Sequence, residues 1–210
     1  MIKLENVSKK IKSNYVLQNV SYTFEDGKVY GLYGHNGSGK TMLLRAISGL
    51  IHPDQGVLYI NGKQLHKEIS FPEDTGIVIE NMELLPRYSA LDNLKLLAKI
   101  RKKATEKDMI AALKRVGLDP TSTKKVKKYS LGMKQRLNIA QAIFENQKII
   151  LLDEPTNALD ESGVNFIYQI IQEEQKKGAI IILATHHKED LKELCDITLK
   201  IENGKICEEV

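Results

Sequence analysis

The octapeptide Gly34-His35-Asn36-Gly37-Ser38-Gly39-Lys40-Thr41 restricts this chain more than any other feature, because it stands between the apolar run 28–33 and a helix-forming stretch at 41–48. Glycines at this spacing let backbone N–H groups turn toward one point without a Cβ clash, and a helix starting there adds the positive end of its dipole. A loop of this composition cradles an anion when a strand feeds it and a helix leaves it. The octapeptide therefore demands a strand–loop–helix unit. It reads as a phosphate-binding loop in which Lys40 reaches terminal phosphates and the Thr41 hydroxyl ligates Mg²⁺.

Two further runs, 148–152 and 179–184, have the continuous apolar character of strands covered on both faces in a parallel sheet. Each precedes a loop and a helical pattern, so the chain reads as α/β with crossovers. The N-terminal region instead alternates short strands with turns, among them Glu25-Asp26-Gly27 and the hairpin signal Tyr59-Ile60-Asn61-Gly62-Lys63. Between the sheet strands, residues 89–145 form a helical insertion. Leu91, Leu94, Leu97 and Ala98 share one helical face, Met109, Ile110, Leu113 and Val116 another, and Gly117 ends the second helix. A later helix over 161–177 carries Val164, Ile167, Ile170 and Ile171 on one stripe and stops at Gly178.

At 210 residues the chain has the length of one domain, and with 42% hydrophobic and 28% charged residues it belongs to neither the disordered nor the fibrous classes. Thirty-one Lys and Arg against 27 Asp and Glu leave +4, an excess that neither requires nor excludes an acidic partner. The basic cluster Lys124, Lys125, Lys127 and Lys128 reads as a solvated loop rather than a nucleic-acid or lipid contact. Cys195 and Cys207 lack metal-site spacing, and an intracellular, reducing home is expected. With charge at the N-terminus no export is expected, and the longest apolar runs fall short of the ~18 residues of a bilayer span. Any membrane role is expected to come through a partner chain.

The run Ile149-Ile150-Leu151-Leu152 ends in Asp153 and Glu154. A carboxylate at a strand tip beside a phosphate loop is suited to hold hydrated Mg²⁺, which is the reading for Asp153. Its neighbour Glu154 is suited to orient or deprotonate a water aimed at a γ-phosphate. Ser130, ahead of an amphipathic stretch through Leu137, Ala140, Ile143 and Phe144, reads as a helix N-cap.

Together the phosphate loop, Tyr129-Ser130-Leu131-Gly132-Met133-Lys134-Gln135-Arg136, Asp153-Glu154-Pro155-Thr156, Asn157-Ala158-Leu159-Asp160 and His186 resemble, in order and spacing, the nucleotide-binding domain of ATP-binding cassette (ABC) proteins. The resemblance covers essentially the whole chain. It implies one ABC ATPase domain over 1–210: a P-loop NTPase core with a mainly parallel sheet, an N-terminal antiparallel β subdomain and the inserted helical subdomain. It further implies that Gly34 to Thr41 bind ATP, that Ser130 and Gly132 bind the γ-phosphate of ATP held by an opposite subunit, and that Asn157 to Asp160 meet that subunit. Glu154 and His186 are the implied catalytic residues, His186 rather than His187 being the γ-phosphate contact.

Three departures from the family pattern are local. Leu131, Gly132 and Met133 stand where two glycines and a glutamine are usual. Glu80, after a strand at 76–79, replaces the Mg²⁺-contacting glutamine and joins Thr41 and Asp153 as a metal ligand. The adenine-stacking aromatic aligns with Ile11, with Tyr15 as a displaced alternative. The resemblance implies an ATP- and Mg²⁺-dependent ATPase, homo- or heterodimeric, driving a transmembrane permease subunit that docks near 82–92. Such a subunit is cytoplasmic and peripheral on the inner face of the membrane. The glutamate and the Ser-Leu-Gly-Met sequence are similar to those of bacterial peptide and drug exporters. Rival readings are a soluble family member acting on nucleic acid or ribosomes, or one serving iron–sulfur assembly; no nucleic-acid partner is expected.

Overall fold

The computed structural model describes residues 1–79, 83–186 and 188–209, the side chains of 188–190 excepted. The chain opens with β1 (Ile2–Ile11), β2 (Asn14–Phe24) and β3 (Val29–Tyr33), which runs into α1 (Lys40–Ile47). β4 (Gln55–Ile60), β5 (Lys63–Gln64) and β6 (Thr75–Val78) follow. Before β7 (Ile149–Asp153) come α2 (Ala90–Arg101), α3 (Glu106–Arg115), a 3₁₀ turn at Val126–Lys128 and α4 (Leu131–Ile143). The chain then alternates α5 (Glu161–Lys176), β8 (Ile180–Ala184), α6 (Lys188–Leu194), β9 (Ile197–Glu202) and β10 (Lys205–Glu209).

Two sheets result. One is antiparallel in the order β2-β1-β4-β5; the other, β10-β9-β3-β8-β7-β6, is parallel from β9 to β6 and carries β10 as an antiparallel edge. Every residue of β7 and β8 is buried. Ile150, Leu152, Ile181 and Leu183 enter a core shared with Leu94 of α2, Leu113 of α3, Ile139 of α4 and Ile167 of α5. Their neighbours Ile149, Leu151, Ile180 and Ile182 enter a second core with Leu43 and Leu44 of α1 and Ile2, Phe24 and Leu58 of the antiparallel sheet. A strand covered on both faces has no solvent side, which is why these segments read as unbroken apolar runs. Each such side chain contributes about 1.5–3 kcal/mol by its burial.

Local chemistry sets the boundaries. Asn61 (φ 51°) and Gly62 (φ 82°) both take the left-handed conformation that turns β4 into β5. Ser89 with Asp92, and Thr105 with Asp108, form reciprocal capping boxes on α2 and α3, each cap worth about 1 kcal/mol. Past α3, the Gly117 amide bonds to the Lys114 carbonyl and the Leu118 amide to that of Leu113, closing the helix end around a glycine at φ 71°.

Two features differ from the sequence expectation. β1 and β2 are not short: they run to 10 and 11 residues. Register shifts between Leu4 and Lys10 absorb extra residues, with Asn6 and Asn19 at positive φ, so the period-two pattern is interrupted although pairing continues. The second is a C-terminal hairpin, β9–β10, beyond the strands expected above; its turn, Asn203 (φ 49°) and Gly204 (φ 75°), uses the same residue pair as the β4–β5 turn.

β6 reaches the sheet edge directly beneath α4 because Gly76 has no side chain, and a Cβ there would collide with the Ala142 carbonyl oxygen. Backbone on both sides leaves no soft direction for relief. Gly76→Ala is expected to lower stability by about 3 kcal/mol, the upper part of the usual overpacking range, seen as a lower urea midpoint at unchanged slope.

Candidate functional site

The parallel register assembles the first half of the site. β8 lies between β3 and β7, with Leu32 level with Ala184 and Ala184 level with Asp153. Segments leaving the three strands emerge side by side at the carboxyl edge of the sheet, where ligands of open α/β sheets bind.

Residues 34–39 make the loop between β3 and α1. Gly37 (φ 80°) and Gly39 (φ 114°) adopt backbone angles that side-chain-bearing residues avoid. Gly39 also packs against the C-terminal turn: a Cβ there would stand 2.8 Å from the Val16 carbonyl oxygen and 3.2 Å from the Gly204 Cα. Lys40 is buried, and its ammonium donates to the carbonyls of Gly34 (2.7 Å) and His35 (3.3 Å). His35 Nδ1 sits 2.9 Å from the Asn36 carbonyl oxygen. Ser38 is buried, with no hydrogen-bond partner to its hydroxyl among the described residues. Thr41 Oγ1 donates to Asp153 Oδ2 at 2.6 Å, joining the first turn of α1 to the tip of β7.

Glu154 follows at φ 48°, an unusual angle for a residue with a side chain, and its amide is anchored to the Ala184 carbonyl at 2.8 Å. The backbone thereby aims the carboxylate across the end of β8, where Oε2 lies 2.9 Å from His186 Nδ1. Gly37, Ser38, Gly39, Lys40, Thr41, Asp153 and Glu154, with Asn36, Val16 and Met42, line a hollow of about 380 Å³. The sequence-derived phosphate and carboxylate residues thus converge. Ile11 and Tyr15 are both exposed at the β1–β2 turn, Tyr15 beneath the Lys10 ammonium at 4.3 Å, and neither lines this hollow.

Ser130 and Gly132 belong to another hollow, of about 720 Å³, bordered by Gly117, Asp119, Leu131, Arg136, Ala158 and Asp160. Ser130 caps α4, its hydroxyl accepting from the Met133 amide at 3.2 Å. Leu131 occupies the first helical turn and is 72% exposed. Gly132 packs on the loop after β7, where a Cβ would stand 2.9 Å from the Ala158 carbonyl oxygen.

Several positioning residues carry little or no sequence signal beyond motif membership. Gln135 Nε2 donates to the Pro155 carbonyl at 3.1 Å, and Arg136 Nη2 donates to Asp160 Oδ1 at 2.8 Å and stacks over Phe166. The Gly163 amide and the Arg136 guanidinium hold the Asp160 carboxyl below the usual carboxylate range. Gly204 donates to the Ser38 carbonyl and accepts from the Gln18 amide, both at 2.8 Å, bracing the phosphate loop from the C-terminal turn. Its one sequence signal is the Asn-Gly pair. Glu80 and His187, named above, lie outside the described residues, as does Met82 in the segment 82–92.

A family profile described as ABC transporter matches residues 17–157. An uncharacterized ABC transporter ATP-binding protein, YybJ of Bacillus subtilis (strain 168), is 59% identical over 206 residues, covering 98% of this chain and 94% of the relative. The lantibiotic transport ATP-binding protein SrtF of Streptococcus pyogenes is 33% identical over 98% of this chain and 89% of its own. Among solved structures, a dimeric post-hydrolysis state of the ATP-binding cassette MJ0796 bound to ADP and Pi superposes with a TM-score of 0.86 at 26% identity, covering 100% of this chain and 98% of that one. A strand–loop–helix phosphate cradle, an acidic strand tip bonded to it and a matching profile over two thirds of the chain lead to one conclusion: this chain belongs to the ABC transporter family, as an ATP-binding cassette that hydrolyses ATP.

Proposed function

We propose that two such chains, identical or related, close face to face around ATP and that this closure powers a separate transmembrane permease subunit, in the direction of export. The observation that carries the reading is the division of the site between two hollows. The phosphate loop, Asp153 and Glu154 line one; Ser130 and Gly132, at the solvent-facing N-terminus of α4, line the other. A helix N-terminus is an anion site, and a second chain supplies it to the γ-phosphate seated on the first chain's loop.

In this reading the amides of Gly34 to Gly39, together with Lys40, hold the phosphates of ATP. Lys40 exchanges its two carbonyl partners for phosphate oxygens. Thr41 and Asp153 present hard oxygen donors bonded to one another at 2.6 Å, a set that suits Mg²⁺, with Glu80 as a third. Bound Mg²⁺ would neutralise charge on the β- and γ-phosphates. Glu154 accepts a proton from the attacking water, and His186, beside its carboxylate, orients the water and contacts the γ-phosphate.

The permease seats in a groove of about 500 Å³ between α2, β6 and α4, whose apolar lining includes Leu85, Leu96, Leu97, Ile100 and Phe144. Ile100 is 78% exposed, and an apolar groove between helices is a surface into which a partner helix lays its apolar face. Among the described residues no helix is long and apolar enough to cross a membrane, which suits a cassette held on the inner face of the membrane by its partner. Likeness to a lantibiotic transport protein supports a peptide- or drug-like cargo.

Recovery in washed membranes only when a polytopic partner is co-expressed tests the permease assignment; recovery without one overturns it. Glu154→Gln is expected to slow hydrolysis by about 10²–10⁴-fold while ATP still binds, so that an ATP-dependent dimer accumulates on gel filtration. A parental rate would place the base elsewhere. Ser130→Arg added to that variant should abolish the dimer without weakening ATP binding by the monomer. Lys40→Ala should remove most ATP affinity in titration calorimetry, because it deletes the loop's long-chain cation.

A further inference from the structure

The lysines of the basic cluster lie in solvent, as expected, but the turn that carries them is fastened to the core. Val126 is 1% exposed and pins the 3₁₀ turn to the core, which leaves Lys124, Lys125, Lys127 and Lys128 all exposed around it. Two backbone bonds fasten the turn to the rim of the docking groove: the Val126 amide to the Tyr88 carbonyl and the Lys127 amide to that of Pro86, both at 2.9 Å. That rim is itself fixed, since buried Asn93 accepts from the Leu85 amide (2.8 Å) and donates to the Leu85 carbonyl (3.2 Å).

Among the described residues no carboxylate forms an ion pair with any of the four lysines or with exposed Arg87. Lys125 reaches Asp92 only as a distant charge, and Glu83 borders the same hollow as Lys127 without pairing. Holding like charges together on a fixed turn costs free energy that an anionic partner removes, and such a patch also steers the partner in. Leu85 and Tyr88, 43% and 44% exposed, add apolar surface beside the cations, and Leu85 also lines the groove.

From this juxtaposition we infer that the segment of the membrane subunit entering the groove is acidic as well as apolar: its apolar side chains fill the groove while its carboxylates pair with Lys125, Lys127 and Lys128. The inference rests on the docking reading proposed above and adds the chemistry of the partner. A concave groove lined by Leu85, with the basic turn bonded to the next residue Pro86 and to Tyr88, suits a protein helix rather than a flat layer of anionic headgroups.

The test places a photo-crosslinking amino acid at exposed Thr123 of the full chain in cells that naturally carry it, and sequences the adduct by mass spectrometry. The expected adduct is a cytoplasmic segment of a polytopic membrane protein with at least two Asp or Glu beside apolar residues. Lys125→Glu/Lys127→Glu/Lys128→Glu should cut its yield at least tenfold with thermal unfolding unchanged, whereas the triple Arg variant retains it. A membrane-protein segment without carboxylates, or a yield indifferent to charge reversal, overturns this inference and leaves the permease reading standing. An adduct with a non-membrane protein or nucleic acid overturns both. No adduct, or a lipid adduct accompanied by sedimentation with phosphatidylcholine vesicles carrying 30% phosphatidylglycerol, also overturns the acidic-segment inference.

Discussion

The site depends on the register of three parallel strands. Leu32, Ala184 and Asp153 lie level across β3, β8 and β7, so the phosphate loop, His186 and Glu154 leave the sheet at one edge. A slip of one residue would turn each strand's side chains to the opposite face and exchange the two cores. The register is held because both faces are filled: Ile181 and Leu183 pack toward the helices, Ile180 and Ile182 toward α1 and the antiparallel sheet. The Thr41–Asp153 hydrogen bond then ties the loop's helix to the acidic strand tip.

A second set of contacts joins the two hollows within one chain. Gln135 and Arg136, on the first turns of α4, bond to Pro155 and Asp160, and Gly132 rests against Ala158. The loop 155–160 follows Glu154, so only a few bonded groups separate that residue from the helix end carrying Ser130. Arg136 bonds from a confined position, stacked on Phe166 and sharing Asp160 Oδ1 with the Gly163 amide.

Much of this was legible in the residues because it rests on local physics. Unbroken apolar runs mark strands covered on both faces; Asn61-Gly62 marks a turn needing two positive φ angles; Ser130 marks a cap. What escaped was non-local. The bulges that extend β1 and β2 break the alternation a strand is recognised by. β9 and β10 are short and carry charged residues, and their importance appears only when Gly204 closes on Ser38 and Gln18. The lysines from 124 to 128 are solvated as their charge implies, but nothing in the run reveals that Val126 is a core residue or that the turn bonds to Pro86 and Tyr88.

By itself the sequence determined the chemistry available: a glycine loop able to wrap an anion, a lysine and a hydroxyl at its end, two carboxylates at a strand tip and a serine at a helix start. These follow from residue type and short-range spacing, which the backbone reads directly. Tertiary structure alone decided which groups meet. It placed Thr41 against Asp153 and Glu154 beside His186, assigned Ser130 to a separate hollow and fixed the lysines beside an apolar groove. Those pairings join residues far apart in the chain, and they are set by the packing of two cores against one sheet rather than by any local preference.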